Sequence, residues 1–509
     1  MFKYLAKVGS NTLLSRILGF VRDLVLAHVF GANAGTDAFF VAFKIPNFLR
    51  RLFAEGAFSV AFVPVLTEYK EKRGFDELKR FVDRVAGTLG AVLLAVTVVG
   101  VLGAPALISV FGAGFLAKGD QSTFWLASDM LRLTFPYLLF ISLTAFAGGI
   151  LNAHNRFGVP AFTPVLLNIA LISCALWLAP LMQRPIMALA WGVLLAGILQ
   201  LLFQYPFLRR LRLAPRFRFA PRDEGVRRIG RLMLPALFGV SVTQLNLLLD
   251  TLIASFLASG SISWLYYSDR LMEFPLGVLG VALGTVILPS LSSHHANASQ
   301  EAFSRTIDWA LRWALLFGLP AAVGLFMFSG PMIATLFHSD AFDAQDVLMS
   351  RRSLMAYSLG LLPFILIKIF APGFYARQDT VTPVRFAVIA MLSNMVLNLA
   401  LVFPLAHAGL ALATTLSASL NALLLYRGLR QAGVYQPDPD WRRLLARAVP
   451  ASALMGLVLY LGAGDLALWL ELDGVERAVR LLLWVAAGAG AYFTALLLLG
   501  IRSRDFRGV

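Results

Sequence analysis

Arginine is out of place in hydrocarbon, yet this sequence sets several within its most apolar stretches. The first stretch carries Arg16, Arg22 and Asp23, and the second carries Asp37, Lys44, Arg50, Arg51 and Glu55. The eighth, around "SDRLMEFP", carries Asp269, Arg270 and Glu273. Each arginine at mid-membrane depth costs on the order of 3 kcal/mol on insertion scales, so a compensating role is expected. Basic groups exceed acidic ones across the three stretches. A positive cavity in an apolar surround suits a multivalent anion, and the planar donor fork of arginine fits phosphate oxygens. Asp37, Lys44 and Arg51 recur at heptad spacing, which stacks them on one helical face with Glu55 nearby. Pro46 kinks that helix, so the spacing leaves both Arg50 and Arg51 open as the inward-facing residue. The alternative use of these charges is internal pairing, Arg22 around Asp23 and Arg270 with Glu273, which would lock helices together.

A second polar group offers oxygen atoms. Asp250 lies midway along the seventh stretch, Asn394 and Asn398 stand one turn apart in the eleventh, and Thr414 opens the twelfth. Three helices thereby supply the donor set of a hard monovalent cation, and the same residues serve plain interhelical hydrogen bonds or a protonatable Asp250. Other chemistry finds little support. No lysine follows a glycine, which excludes a P-loop. His294 and His295 read as surface residues at a helix end, and "DPD" at Asp438 as a turn rather than a glycosyltransferase metal motif. The single cysteine, Cys174, excludes an internal disulfide and a paired-cysteine metal site and reads as a small packed residue.

The elements that must hold these residues follow from composition. Of 509 residues, 59% are hydrophobic and 14% charged, with a mean hydropathy of +0.75. A soluble domain needs more polar surface, so most of the chain faces lipid or other apolar helices. A spanning helix takes roughly 20 apolar residues, and about fourteen such stretches occur, separated by short polar turns. The fold class expected is an all-α polytopic membrane protein. The stretches carrying the site residues run Leu13–Phe30, Asp37–Leu66, Leu232–Leu257, Ser263–Leu291, Val384–Leu405 and Gly409–Tyr426. Arg16 and Arg22 interrupt the first, which therefore reads as a retained helix and not a cleaved signal.

The net charge of +16 is concentrated in particular loops, which argues against a nucleic-acid partner. Strongly basic loops follow the second, sixth and twelfth stretches, "YKEKRGFDELKR", "RRLRLAPRFRFAPRDEGVRRIGR" and "RGLRQAGVYQPDPDWRR". The opposite loops, such as "GANAGTD" and "GAGDLALWLELDG", are poor in positive charge, with Arg351 and Arg352 the exception. By the positive-inside rule both termini are cytoplasmic. A faint repeat is also present. "AFSVAFVPVL" at Ala57 aligns with "ALGTVILPSL" at Ala282, and "NAHNRFGVPA" at Asn152 with "YARQDTVTPV" at Tyr375, at nearly equal offsets along the chain. Two six-helix lobes, 1–215 and 216–431, are expected, with two further helices in 432–509. Secondary transporters are often built from such repeats.

Four segments carry a resemblance: "SRILGFVRD" (Ser15–Asp23), "GTDAFFVAFKIPNFLRRLFAEGAFSVAFVPVL" (Gly35–Leu66), "ASGSISWLYYSDRLMEFPLGVLGVALGTVILPSLS" (Ala258–Ser292) and "APGFYARQDTVTPV" (Ala371–Val384). The chain resembles, essentially end to end, the MurJ (MviN) family of bacterial lipid II flippases in the multidrug/oligosaccharidyl-lipid/polysaccharide exporter superfamily. The resemblance implies two six-helix lobes and a groove for the undecaprenyl tail formed by helices 13 and 14. It implies alternating access that carries lipid II from the cytoplasmic to the outer leaflet of the bacterial cytoplasmic membrane, for peptidoglycan synthesis. The family's functional arginines fall on Arg16, Arg22, Arg50 and Arg270. Lys44, Asp37, Asp269 and Glu273 match its charged cavity positions, so the motif selects Arg50 where spacing favours Arg51. Asp250, Asn394, Asn398 and Thr414 match the general pattern of the sodium site of some members, with Asn398 where an acid can occur.

The expectation is therefore a transporter and not an enzyme. Its ligands would be lipid II and membrane lipids, its coupling ion sodium or a proton, and its state a monomer without cofactor. Other cell-wall synthesis proteins are candidate partners of the basic loop from Arg209 to Arg231. The main rival is a cation-coupled multidrug or small-molecule exporter, which predicts acids and aromatics in the cavity rather than arginines. A metal-dependent membrane enzyme would need clustered carboxylates, and a structural scaffold leaves the buried charges without a use.

Overall fold

The structure, a computed structural model, describes residues 2–296 and 299–501; the side chains of some helical residues, among them Glu55, His294 and His295, lie outside the described residues. Apolar runs bounded by turn residues fold as helices throughout, and no strand occurs among the described residues. The first half contains α1 (Phe2–Phe30), α2 (Ala34–Arg50, continued through a π-helical stretch Arg51–Phe58 into Ser59–Lys72) and α3 (Gly74–Leu102). It is completed by α4 (Gln121–Ala153), α5 (Gly158–Leu181) and α6 (Met187–Arg210). The second half contains α7 (Glu224–Ser255), α8 (Ser261–Ala296), α9 (Gln300–Met327), α10 (Ala344–Tyr375), α11 (Val381–Leu405) and α12 (His407–Gln431). The last two segments are α13 (Trp441–Ala463) and α14 (Gly474–Leu498).

Ten of these are long and apolar enough to cross a membrane on length and composition, and four more of spanning length, α1, α2, α7 and α8, make fourteen among the described residues. Those four carry most of the expected site residues. Outward side chains are apolar to a degree that water would not tolerate, with Phe403 87% and Leu498 83% exposed. The loops after α3, α9 and α13 contain short helices, Ala104–Phe111, Ser329–Phe337 and Leu466–Glu471, which turn patterns in the sequence do not reveal.

The repeat has a backbone counterpart. At the end of α4, Asn155 takes φ 58° and the Arg156 N–H donates to the Leu151 carbonyl at 2.8 Å. At the end of α10, Gln378 takes φ 61° and the Asp379 N–H donates to the Phe374 carbonyl at 3.1 Å. The offset between the two turns is that of the second sequence match. Asp120 and Asp343, related by the same offset, cap α4 and α10 through their side chains. A left-handed residue also ends α6 and α12, Arg212 at φ 59° and Gly433 at φ 69°.

Packing divides the chain into two compact units between Ile262 and Ser263. The first has an aromatic core in which Phe62 stacks on Phe58 at 4.9 Å, and Tyr69 on Phe81 at 4.2 Å. This core joins the end of α2 to α3, α4 and α6. α7 packs on the π-helical stretch of α2, so packing groups it with the first six helices although the repeat pairs it with α1. In the second unit α11 packs along α12, and α13 against α14 and the end of α9.

Candidate functional site

The charges of α1 are held from α5. Arg22 donates through Nε and Nη2 to Asp23 Oδ1, at 2.9 and 2.7 Å, and through Nη1 to Asn168 Oδ1 at 3.0 Å. Asn168 is fixed in turn, its Nδ2 donating to the Ser15 carbonyl at 3.0 Å. Asp23 is 2% exposed, and a charge so buried requires a partner. Gly19 faces the same amide, and a Cβ there would sit at ordinary contact distance from it, 3.6 Å. Arg16, earlier on α1, is exposed.

On α2, Asn33 accepts from the N–H groups of Gly35 and Thr36, at 2.9 and 3.2 Å, which sets the first turn. Asp37 in that turn is buried, and its Oδ2 accepts from the Gly260 N–H at 2.7 Å. Gly260 makes the turn between α7 and α8 at φ 93°, a conformation open to glycine at little cost. Two turns further, Lys44 Nζ donates to Thr251 Oγ1 at 2.6 Å, next in sequence to Asp250. Arg50 Nε donates to Asn47 Oδ1 at 3.0 Å. The departure from α-helical winding begins at Arg51 and not at Pro46, which sits inside the α-helical part. Arg50 and Arg51 are both half-buried.

On α8, Arg270 Nη1 donates to Glu273 Oε2 at 2.6 Å, and its guanidinium lies 5.0 Å from the centre of the Tyr266 ring. The side chains of the pair are 29% and 45% exposed. The helix itself is fixed by Ser268 Oγ donating to the Ser350 carbonyl and Trp264 Nε1 to Asp346 Oδ1, at 2.7 and 2.8 Å. Asp269, between these contacts and Arg270, is half-buried.

Asn398 Nδ2 donates to Asn394 Oδ1 at 2.8 Å, and Asn394 Nδ2 to Thr414 Oγ1 at 3.4 Å. These three expected residues thus form one hydrogen-bonded series between α11 and α12, whereas Asp250 belongs to the first unit. The three side chains of this series are themselves uncharged. No cluster of three or more His, Cys, Asp or Glu able to hold a metal occurs among the described residues.

Three polar residues within the spans escaped the sequence reading. Lys368, alone in the run "LLPFILIKIF", packs its stem beside Gly280 of α8, where a Cβ would lie 2.7 Å from its Cδ. The rule that selected the other charges within spans also selects this one. Asn168 and Thr251 are neutral, and nothing in their type separates them from other polar residues in the spans.

Long apolar helices throughout the described residues, ten of them meeting the length and composition of a membrane span, define a multi-pass membrane protein. The chain belongs to the lipid II flippase MurJ family, whose model matches residues 26–471. It is 49% identical to a probable lipid II flippase MurJ of Haemophilus influenzae, over 96% of this chain and 98% of that one. It is 44% identical to a lipid II flippase MurJ of Burkholderia cenocepacia, over 100% and 99%. A solved lipid II flippase MurJ in an inward closed conformation matches with a TM-score of 0.79 at 27% identity, over 98% of this chain and 99% of that one. An inward-facing multidrug resistance MATE transporter shares the fold, with a TM-score of 0.68 at 13% identity over 84% and 98% of the two chains.

Proposed function

We propose that this chain moves lipid II, the undecaprenyl-diphosphate-linked peptidoglycan precursor, from the cytoplasmic to the outer leaflet by alternating access. Membership of the flippase family carries the reading, and the arginines set into spanning helices support it. Arg16, Arg22, Arg50 and Arg270, with Lys44, engage the diphosphate, whose charge and oxygen geometry suit guanidinium donors. The tail stays in lipid along α13 and α14, and both termini face the cytoplasm. Asp23 and Glu273, paired with Arg22 and Arg270 in this structure, act as counter-ions that reclaim the arginines once the cargo leaves. Asp37, Arg51, Glu55 and Asp269 complete the charge pairing. Cargo and carboxylates thereby favour different states, as a ligand-driven switch requires. An inside-negative potential assists, since two charges crossing 100 mV gain roughly 4 to 5 kcal/mol. Coupling to sodium at Asn394, Asn398 and Thr414, with Asp250, or to a proton, adds to this drive.

The test uses cells whose own flippase can be shut off. This chain is expressed, and lipid II is probed from the outer face alone. Accessibility is expected to return with the parent chain and not with Arg270→Ala. Parent protein that inserts in the membrane while lipid II stays inside would remove the flippase reading.

A further inference from the structure

The loop from α6 to α7 has the densest positive charge of the chain, and the charged set described above makes no use of it. Its first part is an extended strap. Beyond Arg212, the Arg216 N–H donates to Asp83 Oδ1 at 2.7 Å and the Arg218 N–H to the Asp83 carbonyl at 3.2 Å. The Ala220 N–H donates to Thr88 Oγ1 at 3.1 Å. Alternate N–H groups are thus all spent on α3. The backbones run so close that a Cβ at Gly87 would lie 2.3 Å from backbone atoms of Arg218. Successive side chains of an extended segment point to opposite sides. Even so, Arg216, Phe217, Arg218 and Phe219 are all exposed, the two phenylalanines by 66% and 68%.

The position of the strap along α3 identifies what it faces. Arg84 is the last charge of α3, and residues 85–102 form an uncharged run. At 1.5 Å per residue that run is about 27 Å long, close to the roughly 30 Å of bilayer hydrocarbon. The strap crosses α3 between Asp83 and Thr88, where hydrocarbon begins. Phe217 reaches deeper, its ring lying beside Gly90, where a Cβ would meet it at 3.3 Å. α6 marks the same level, since apolar Leu208 is followed by Arg209 and Arg210. Aromatic rings favour this depth, and arginines beside them reach headgroup phosphates. Two acids beside the strap are already engaged, Asp83 with Lys79 and the strap, Asp223 with Arg84 and the first turn of α7.

The geometry points to a membrane-surface site for anionic phospholipid. Phe217 and Phe219 seat at the headgroup end of the acyl chains, and Arg216 and Arg218 bind headgroup phosphates of the leaflet from which the loop emerges. Anchoring of this kind needs both elements, an apolar insertion and a cationic contact. It stands apart from the cargo proposed above, because lipid binding at the strap is measured without transport.

Full-length protein in dodecylmaltoside is titrated with phosphatidylglycerol or phosphatidylcholine, and bound lipid is counted by native mass spectrometry. Phosphatidylglycerol is expected to bind more tightly. The double variant Arg216→Gln/Arg218→Gln is expected to weaken it roughly thirty-fold, the scale for two arginines at an anionic leaflet. Arg442→Gln, an exposed arginine elsewhere, should leave binding unchanged, and both variants should melt in phosphatidylcholine like the parent. Phe217→Ser/Phe219→Ser should weaken both lipids alike. Equal binding of the two lipids by the parent, or undiminished phosphatidylglycerol binding by the arginine variant, overturns the site; the second result would leave those charges to an acidic protein.

Discussion

The loops that follow α6 and α12 start from one scaffold and end with opposite surfaces. Asp83 on α3 and Asp308 on α9 are related by the offset of the first sequence match, and each grips the loop leaving the last helix of its half. Asp83 accepts a backbone N–H, which leaves the side chains of that loop outside. Asp308 Oδ1 accepts instead from the Tyr435 hydroxyl and the Trp441 indole N–H, both at 2.7 Å. Tyr435 is therefore 2% exposed where Phe217 is 66%. Burial and the Asp308 carboxylate hold the Tyr435 hydroxyl above its ordinary pKa, so it remains a donor across the physiological range. The folded-in loop then walls an apolar cavity of about 550 Å³ with Leu315, Leu366, Phe370, Tyr426 and Trp441. Gly87 and Arg312 occupy equivalent places under the same offset. The glycine lets a backbone lie on the helix, whereas Arg312 reaches across to Asp438 at 2.6 Å. What a loop displays is decided by which donor, backbone or side chain, it offers to the same acid.

Asp308→Ala should break the second loop hardest. It strips two donors of their acceptor, and a loss on the order of 3 kcal/mol is expected in the unfolding of the solubilised protein. A melting curve that does not move would mean that Asp308 anchors nothing. Gly87→Val comes next, since the strap must leave α3 or the helix must distort. About 1 to 3 kcal/mol is expected, with faster amide exchange at residues 214–220. Its counterpart Arg312→Ala removes only a partly exposed ion pair, below about 1 kcal/mol. Equal costs for these two would erase the distinction between the loops.

Effects smaller than those at Asp308 and Gly87 sharpen what the halves share. Asp120→Ala and Asp343→Ala each remove a helix cap and should cost about 1 kcal/mol apiece. The Thr123 hydrogen bond holds the Asp120 carboxyl below its ordinary pKa. Its contribution is thus present above the usual carboxylate range, fades as the pH falls below that range, and is gone once the folded-state group is protonated. Melting of Asp120→Ala and the parent, measured down the acid limb, should converge there.

Fourteen helices were legible because long apolar runs between short polar turns leave the chain few other folds. The repeat was legible only as two short matches. Its clearest sign, the left-handed pair Asn155 and Gln378, was hidden, because neither residue type announces that backbone. Arg22 beside Asp23 could be read from adjacency, and Arg270 with Glu273 from a single turn of helix. Asn168 and Thr251 could not, since helices apolar all round do not reveal which faces meet. Asp83 and Asp308 went unremarked among other charges at helix ends, although the repeat relates them. The π-helical stretch after Arg50 was invisible too, as its wider winding leaves no periodic mark on side-chain type.

That stretch separates two tasks that a single rod would couple. Ahead of it, the azimuth of α2 is set by Asp37 on the Gly260 N–H and Lys44 on Thr251. Behind it, the azimuth is set by Phe62 and Tyr69 in the aromatic core. Between them, Arg51–Phe58 winds with a different number of residues per turn, so the two parts need not share one phase. The polar and aromatic ends of the rod can each adopt their own best rotation.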